Sequence, residues 1–190
     1  MAKVYRPLGI PDGVQVKVDV GSVTVTGKLG SIVVPVLPGL SVKVETRQLV
    51  VEPGPGAERA HVGTLRSHLS NAMVGVVSGF ERVLQVRGMG YRVQKTKEGV
   101  QIQCGFSHPV DVVAPPGITF EVTQAPNPDD TKQQMFEITV KGVDRHAVGQ
   151  IAAQIRAIKP PDPYRGKGIR YRDEYVRKKA GKRAVGAEQA

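Results

Sequence analysis

The chain has 190 residues, 40% of them hydrophobic, with 22 Gly, 14 Pro, no Trp and only 5% aromatics. That composition supplies a buried core but favours short strands and tight turns over long helices. The net charge of +10 is unevenly spread: residues 1–82 hold nine Lys/Arg against six Asp/Glu, residues 83–158 eight against seven, and residues 159–190 ten against four.

A nearly neutral body with one basic end points to a polyanionic partner reached through that end. The single Cys104 excludes an internal disulfide framework and a Cys-based zinc site. No run approaches the roughly 18 apolar residues a membrane helix needs. The opening, Met1-Ala2-Lys3-Val4-Tyr5-Arg6-Pro7, lacks the apolar centre of a secretion signal. The expectation is a soluble protein in a reducing compartment, with no membrane and no small-molecule substrate.

In chain order, alternating apolar residues predict strands near 14–19, 22–26, 31–36, 41–45 and 48–52, and a three/four spacing predicts a helix near 58–78. A second series follows, with strands near 83–87, 90–96, 99–104, 109–113, 118–124 and 135–141, then a helix near 144–158. The two series are one unit repeated. At an offset of 78, Gly21 maps onto Gly99, Gly27 onto Gly105, Ile32 and Val34 onto Val110 and Val112, and Pro38-Gly39-Leu40-Ser41 onto Pro116-Gly117-Ile118-Thr119. Later the offset becomes 86, with Val62-Gly63, Leu65 and Leu69 matching Val148-Gly149, Ile151 and Ile155. The difference requires about eight inserted residues, and Ala125–Lys132 supplies a polar, Pro-rich loop. Gly63 and Gly149, beside the first stripe residue of each helix, are placed to let helix and sheet approach closely. Met73, Val76 and Val77 extend the first stripe into the core.

Strands grouped ahead of one covering helix give an α+β class: two tandem copies of a small antiparallel sheet with a helix, residues 1–82 and 83–158, then a basic tail, 159–190.

In the tail, Lys159-Pro160-Pro161-Asp162-Pro163 ends the helix and forces extended chain. Arg165, Lys167, Arg170 and Arg172 are then spaced by Gly166 and Gly168 and flanked by Tyr164 and Tyr171. The pattern suits RNA: cations neutralise phosphates, glycines admit a sugar–phosphate backbone, and tyrosines stack or hydrogen-bond a 2′-hydroxyl. Arg177-Lys178-Lys179 and Lys182-Arg183 form a second basic set, and Asp173-Glu174 interrupt the run. Such a tail is expected to order on its RNA.

Arg87 and Arg92, around the Gly88-Met89-Gly90 turn, are additional RNA candidates; Lys95, Lys97 and Lys132 fit either an RNA footprint or a solvated strand edge. The Gly-Met-Gly lacks the third glycine and following helix of a dinucleotide fingerprint. His61, His68, His108 and His146 offer no metal-ligand spacing, and Asp129-Asp130 read as a solvated turn. No nucleophile elbow, phosphate loop or triad appears. Neither an enzyme nor a cofactor is expected; a protein-interaction adaptor with an acidic partner is the second reading.

Residues Pro161–Tyr171 resemble the signature of the bacterial-type large-subunit ribosomal protein L-six family, the sixth protein of the large subunit, with Arg165 where that family has Lys. Pro7-Leu8-Gly9-Ile10-Pro11-Asp12-Gly13-Val14, Gly79-Phe80-Glu81 and Gly88-Met89-Gly90-Tyr91-Arg92 are similar to other segments of it, and the twofold repeat is a family property. Two places depart: Lys3-Val4-Tyr5 replaces the common opening, and Val62 stands where the family often has His, with His61 one residue earlier. The resemblance implies a non-catalytic protein of the cytoplasmic ribosome that binds large-subunit rRNA, chiefly through its second domain and tail (Lys159, Ile169 and the basic residues named above). It further implies a place on the factor-binding side near the sarcin–ricin loop, beside neighbouring ribosomal proteins and close to translation factors.

Overall fold

The computed structural model describes residues 7–54, 56–127, 130–179 and 181. The chain divides into two compact units, one of residues 1–81 with 116–118 and 141–149, the other of 82–115, 119–140 and 150–190.

The first repeat contains β1 (Leu8–Gly9), β2 (Gln15–Asp19), β3 (Ser22–Gly27), β4 (Gly30–Pro35), β5 (Leu40–Glu45), β6 (Gln48–Pro53) and α1 (Arg59–Ser78). They make two antiparallel three-stranded sheets, ordered β2-β3-β4 and β1-β6-β5. Period-two alternation puts Val23, Val25, Val34, Leu49 and Val51 on buried faces. Helix α1 turns Val62, Leu65, Leu69, Ala72, Met73 and Val76 into the same cluster. Val62 is fully buried, so an apolar residue there is used as core, while His61 is half-buried beside Glu58 at 3.8 Å.

This cluster, not local capping, holds α1. Glu58 makes no side-chain cap and the first turn has no acid. Thr64 and Ser67 donate back to the Ala60 and Gly63 carbonyls, which adds nothing to helix propensity. The helix ends where Gly79, at φ 72°, donates its N–H to the Gly75 carbonyl at 2.9 Å.

The second repeat follows the same order: β7 (Phe80–Arg87), β8 (Arg92–Lys95), β9 (Gly99–Gln103), β10 (Val110–Val113), β11 (Ile118–Asn127), β12 (Asp130–Gly142) and α2 (Arg145–Ile158). Here Asp144 does cap its helix, accepting the His146 N–H at 2.9 Å. Val148, Ile151, Ala152 and Ile155 form the buried stripe. The sheets are β8-β9-β10 and β11-β12-β7-β13, the last strand being β13 (Gly168–Tyr171) from the basic segment.

Three expectations are corrected. The insertion is not a loop: β11 runs through Asn127 and β12 begins at Asp130, so the extra residues lengthen a hairpin, with Gln124 donating across to Gln134 at 2.6 Å. Pro126 is tolerated because β11 is an edge strand; Pro128 and Asp129 lie outside the described residues. Val77 is 42% exposed and not core. Gly63 and Gly149 meet nothing within 4 Å of a notional Cβ. The close approaches are at Gly75, whose Cβ would collide with the Val143 carbonyl, and at Gly27, whose Cβ would sit 2.7 Å from the Val76 side chain.

That contrast sets a test within one helix. Gly63→Ala should stabilise the protein by about 0.5–1 kcal/mol, since it removes an exposed mid-helix glycine. Gly75→Ala should destabilise it by more than 1 kcal/mol, about the usual cost of overpacking. Leu69→Ala should cost about 2–5 kcal/mol. Urea unfolding of the three variants checks all of these; a destabilised Gly63→Ala would contradict the assignment.

Candidate nucleic-acid interface

The basic segment is a folded arm, at least through Lys179, and not an extended tail. After α2, Lys159 turns the chain and its carbonyl accepts the Ile169 N–H at 2.8 Å. Asp162 organises the loop that follows. Its Oδ1 and Oδ2 accept the Tyr164 and Arg165 amides at 3.2 and 3.0 Å, and its carbonyl accepts the Gly166 N–H at 2.8 Å. Its own N–H donates to the Lys167 carbonyl at 2.8 Å, closing a tight turn of the Asx type. Gly166 is needed there for its φ of 70°.

Strand β13 then pairs antiparallel with β7, with Gly168, Ile169, Arg170 and Tyr171 opposite Arg87, Val86, Gln85 and Leu84. Gly168 lies on Pro160 and Pro161, and a Cβ would sit 2.6 Å from the Pro160 carbonyl. Its φ of 140° also favours glycine. This glycine therefore serves the arm's own packing, not access for a sugar–phosphate backbone. Ile169 is fully buried, so its side chain is core.

Beyond β13, Arg156 of α2 clamps the arm. Its guanidinium donates to both Glu174 oxygens, at 2.8 and 2.5 Å, and lies 5.9 Å from the Tyr171 ring centroid. Glu174 also accepts the Tyr171 N–H at 3.1 Å. Hydrogen bonding from Arg156, then from the Tyr171 backbone, holds the Glu174 carboxyl below the usual carboxylate range despite its partial desolvation. Glu174, one of the two acids that interrupt the basic run, is thus a fastening of the arm. Further on, Lys179 donates its N–H to the Pro163 carbonyl at 2.9 Å, returning the chain to the Asp162 loop.

What this leaves outward is a cationic surface. Tyr164, Arg165, Arg172, Arg177, Lys178 and Lys179 are exposed; Lys159, Lys167, Arg170 and Tyr171 are half-buried. Arg170, Arg172, Asp173, Glu174, Tyr175, Val176 and Lys178 line an open groove of about 500 Å³. Lys182 and Arg183 lie outside the described residues. Arg92 is exposed on β8. Arg87 is only 5% exposed, and donates to Gln85 at 2.7 Å while Gln85 donates to Glu137 at 2.9 Å. Arg87 therefore belongs to a polar ladder within the sheet and offers no side-chain surface to a partner. Sequence reasoning missed Asp162, Arg156 and Glu174 as organisers; only the Asp-Pro turn around Asp162 carried a local signal.

Among the described residues no group of three His, Cys, Asp or Glu is placed to hold a metal. No helix among them is long and apolar enough to cross a membrane.

The clamp has a pH dependence of defined sign. Because folding lowers the Glu174 pKa, its contribution is complete above the ordinary Glu value of about 4.3 and is lost as pH falls through the lower folded value. Glu174→Gln should weaken arm docking at neutral pH by about 1 kcal/mol, a charge-assisted hydrogen bond discounted for partial exposure. The protection factor of the Ile169 amide, taken relative to intrinsic exchange, should then fall roughly fivefold, and its further loss on the acid side should vanish. A protection factor that stays pH-dependent across this range in the variant would assign the effect elsewhere.

Comparison with known proteins matches most of the chain to one family. The sequence matches the family described as Ribosomal protein L6 over residues 10–79 and 87–172. It is 46% identical over 185 residues to the large ribosomal subunit protein uL6 of Rubrobacter xylanophilus, covering 96% of this chain and 99% of the relative. Identity is 42% to the protein of that name from Caldicellulosiruptor saccharolyticus, covering 97% of each chain. It is 45% to that of Halalkalibacterium halodurans, covering 93% of this chain and 95% of the relative. With a duplicated α+β frame and the family matched across both copies, the chain belongs to the ribosomal protein L6 family.

Proposed function

We propose that this chain is a structural constituent of the large subunit of the cytoplasmic ribosome and grips large-subunit rRNA through its second repeat and arm. In this reading residues 1–82 and 83–158 are two rigid repeats and residues 159–190 the RNA-binding arm. The observation that carries it is the arm's construction: β13 buries Ile169 and the Arg156 clamp engages Glu174, while Arg165, Arg172, Arg177, Lys178 and Lys179 stay outward. Phosphate contacts dominate such affinity because each releases condensed counterions. A pre-folded arm avoids most of the entropy of ordering a flexible tail on binding.

The role is non-catalytic and needs no cofactor. Asp162 and Glu174 are engaged in holding backbone and guanidinium groups, which supports a structural use for both. Placement on the factor-binding side near the sarcin–ricin loop, with neighbouring ribosomal proteins alongside and translation factors nearby, follows from the family resemblance and belongs to the same proposal.

A salt titration of binding to a large-subunit rRNA transcript tests the reading. Affinity should fall steeply with salt, and each of Arg165→Ala, Arg172→Ala and Lys178→Ala should lower the log–log slope by roughly one. Lys17→Ala, an exposed cation of the first repeat, should leave it unchanged. A wild-type affinity insensitive to salt would end the proposal.

A further inference from the structure

The chain is poor in aromatics, and most of those it has are covered. Among the described residues three are exposed: Tyr164 at 58%, Tyr175 at 89% and Phe106 at 44%. The first two belong to the arm. Phe106 does not; it lies between β9 and β10, in a segment the cationic signature does not include.

Its exposure is built into the backbone. Cys104, the residue after β9, has its side chain fully buried. Gly105, at φ 80°, then turns the chain so that the next side chain points out. The Tyr91 ring supports this turn from the other side: a Cβ on Gly105 would lie 3.7 Å from it, and one on Gly88 only 2.6 Å. His108 stands beside Phe106 with ring planes within 19° of parallel and centroids 6.3 Å apart. Rings at that separation overlap little, so neither face is consumed by the other. The Lys159 ammonium sits over one face of the Phe106 ring, 5.0 Å from its centroid. Lys159 is also the residue whose carbonyl receives the Ile169 amide of β13. One residue thus joins Phe106, through its side chain, to the root of the arm, through its backbone.

We propose that Phe106 and His108, with Lys159 beside them, form a stacking platform for an unpaired base of the bound RNA. Aromatic faces carry bases without regard to sequence, and the adjacent ammonium meets the phosphate that accompanies each base. The arm's phosphate contacts and this platform then form one surface with two kinds of contact. The inference rests on the rRNA-binding reading above and extends it to residues outside the arm.

The test uses the full chain and a large-subunit rRNA transcript, with affinity measured across a salt series. Phe106→Ala should weaken binding roughly tenfold, within the range for losing one base stack, while leaving the salt slope unchanged. Phe106→Trp should restore affinity, and Lys159→Gln should reduce the slope by about one. Thermal unfolding should change little in Phe106→Ala, since nearly half of the residue is exposed. Unchanged affinity in Phe106→Ala, with the arm variants still impaired, would overturn the platform and leave the arm reading standing. Failure of the wild-type chain to bind the transcript would overturn both. Failure of Trp to restore what Ala loses would mean the ring packs and does not stack. Intact RNA affinity with impaired incorporation into subunits would make the patch a protein contact and end the proposal.

Discussion

The second unit depends on one constraint: a polar, glycine-spaced segment must complete an apolar sheet. β13 succeeds because only Ile169 must be buried, while its backbone supplies the hydrogen bonds the β7 edge lacks. The Lys159–Ile169 bond and the Gly168 contact with Pro160 and Pro161 fix where the chain turns back. Everything outward follows from that docking. The Asp162 loop, the Arg156–Glu174 clamp and the return of Lys179 to Pro163 are each short-range consequences of a strand that has nowhere else to lie.

The duplication makes the role of this strand visible. The first repeat has the order β5-β6-β1 and stops. The second has β11-β12-β7 in the same sense, then adds β13. The helices begin at Arg59 and Arg145, and their stripes Val62, Leu65, Leu69 and Val148, Ile151, Ile155 are buried in equivalent places. The two repeats share a core plan; what distinguishes the second is an edge completed by the most cationic part of the chain. Chemistry has been added at an edge without disturbing the repeated core, which is where an addition costs least.

The α+β frame was legible because it rests on local periodicity. Alternation in Val23, Val25, Ile32, Val34 and the helical spacing of Leu65, Leu69 and Ala72 survive in any tertiary context. β13 was not legible: Gly168-Ile169-Arg170-Tyr171 has one buried apolar residue, so only its partner strand makes it a strand. The same limit explains the glycines. Proximity to the stripe suggested Gly63, but which helical residue meets another backbone is decided by Val143, distant in sequence. Arg87 read as a surface cation because its turn is exposed, whereas its register beside Gln85 and Glu137 buries it. Among site residues, charge type and spacing were readable; orientation, and the carboxylates that impose it, were not.

The pairing of β13 with β7 has a consequence for the cell's handling of the protein. Leu84 and Val86 lie on a strand that, without its neighbour, would be a bare edge of unpaired amides backed by apolar side chains. Such edges recruit strands from other chains. The arm is therefore also a guard against self-association. Clipping it would lay that edge bare, so damage to this segment would register first as lost solubility.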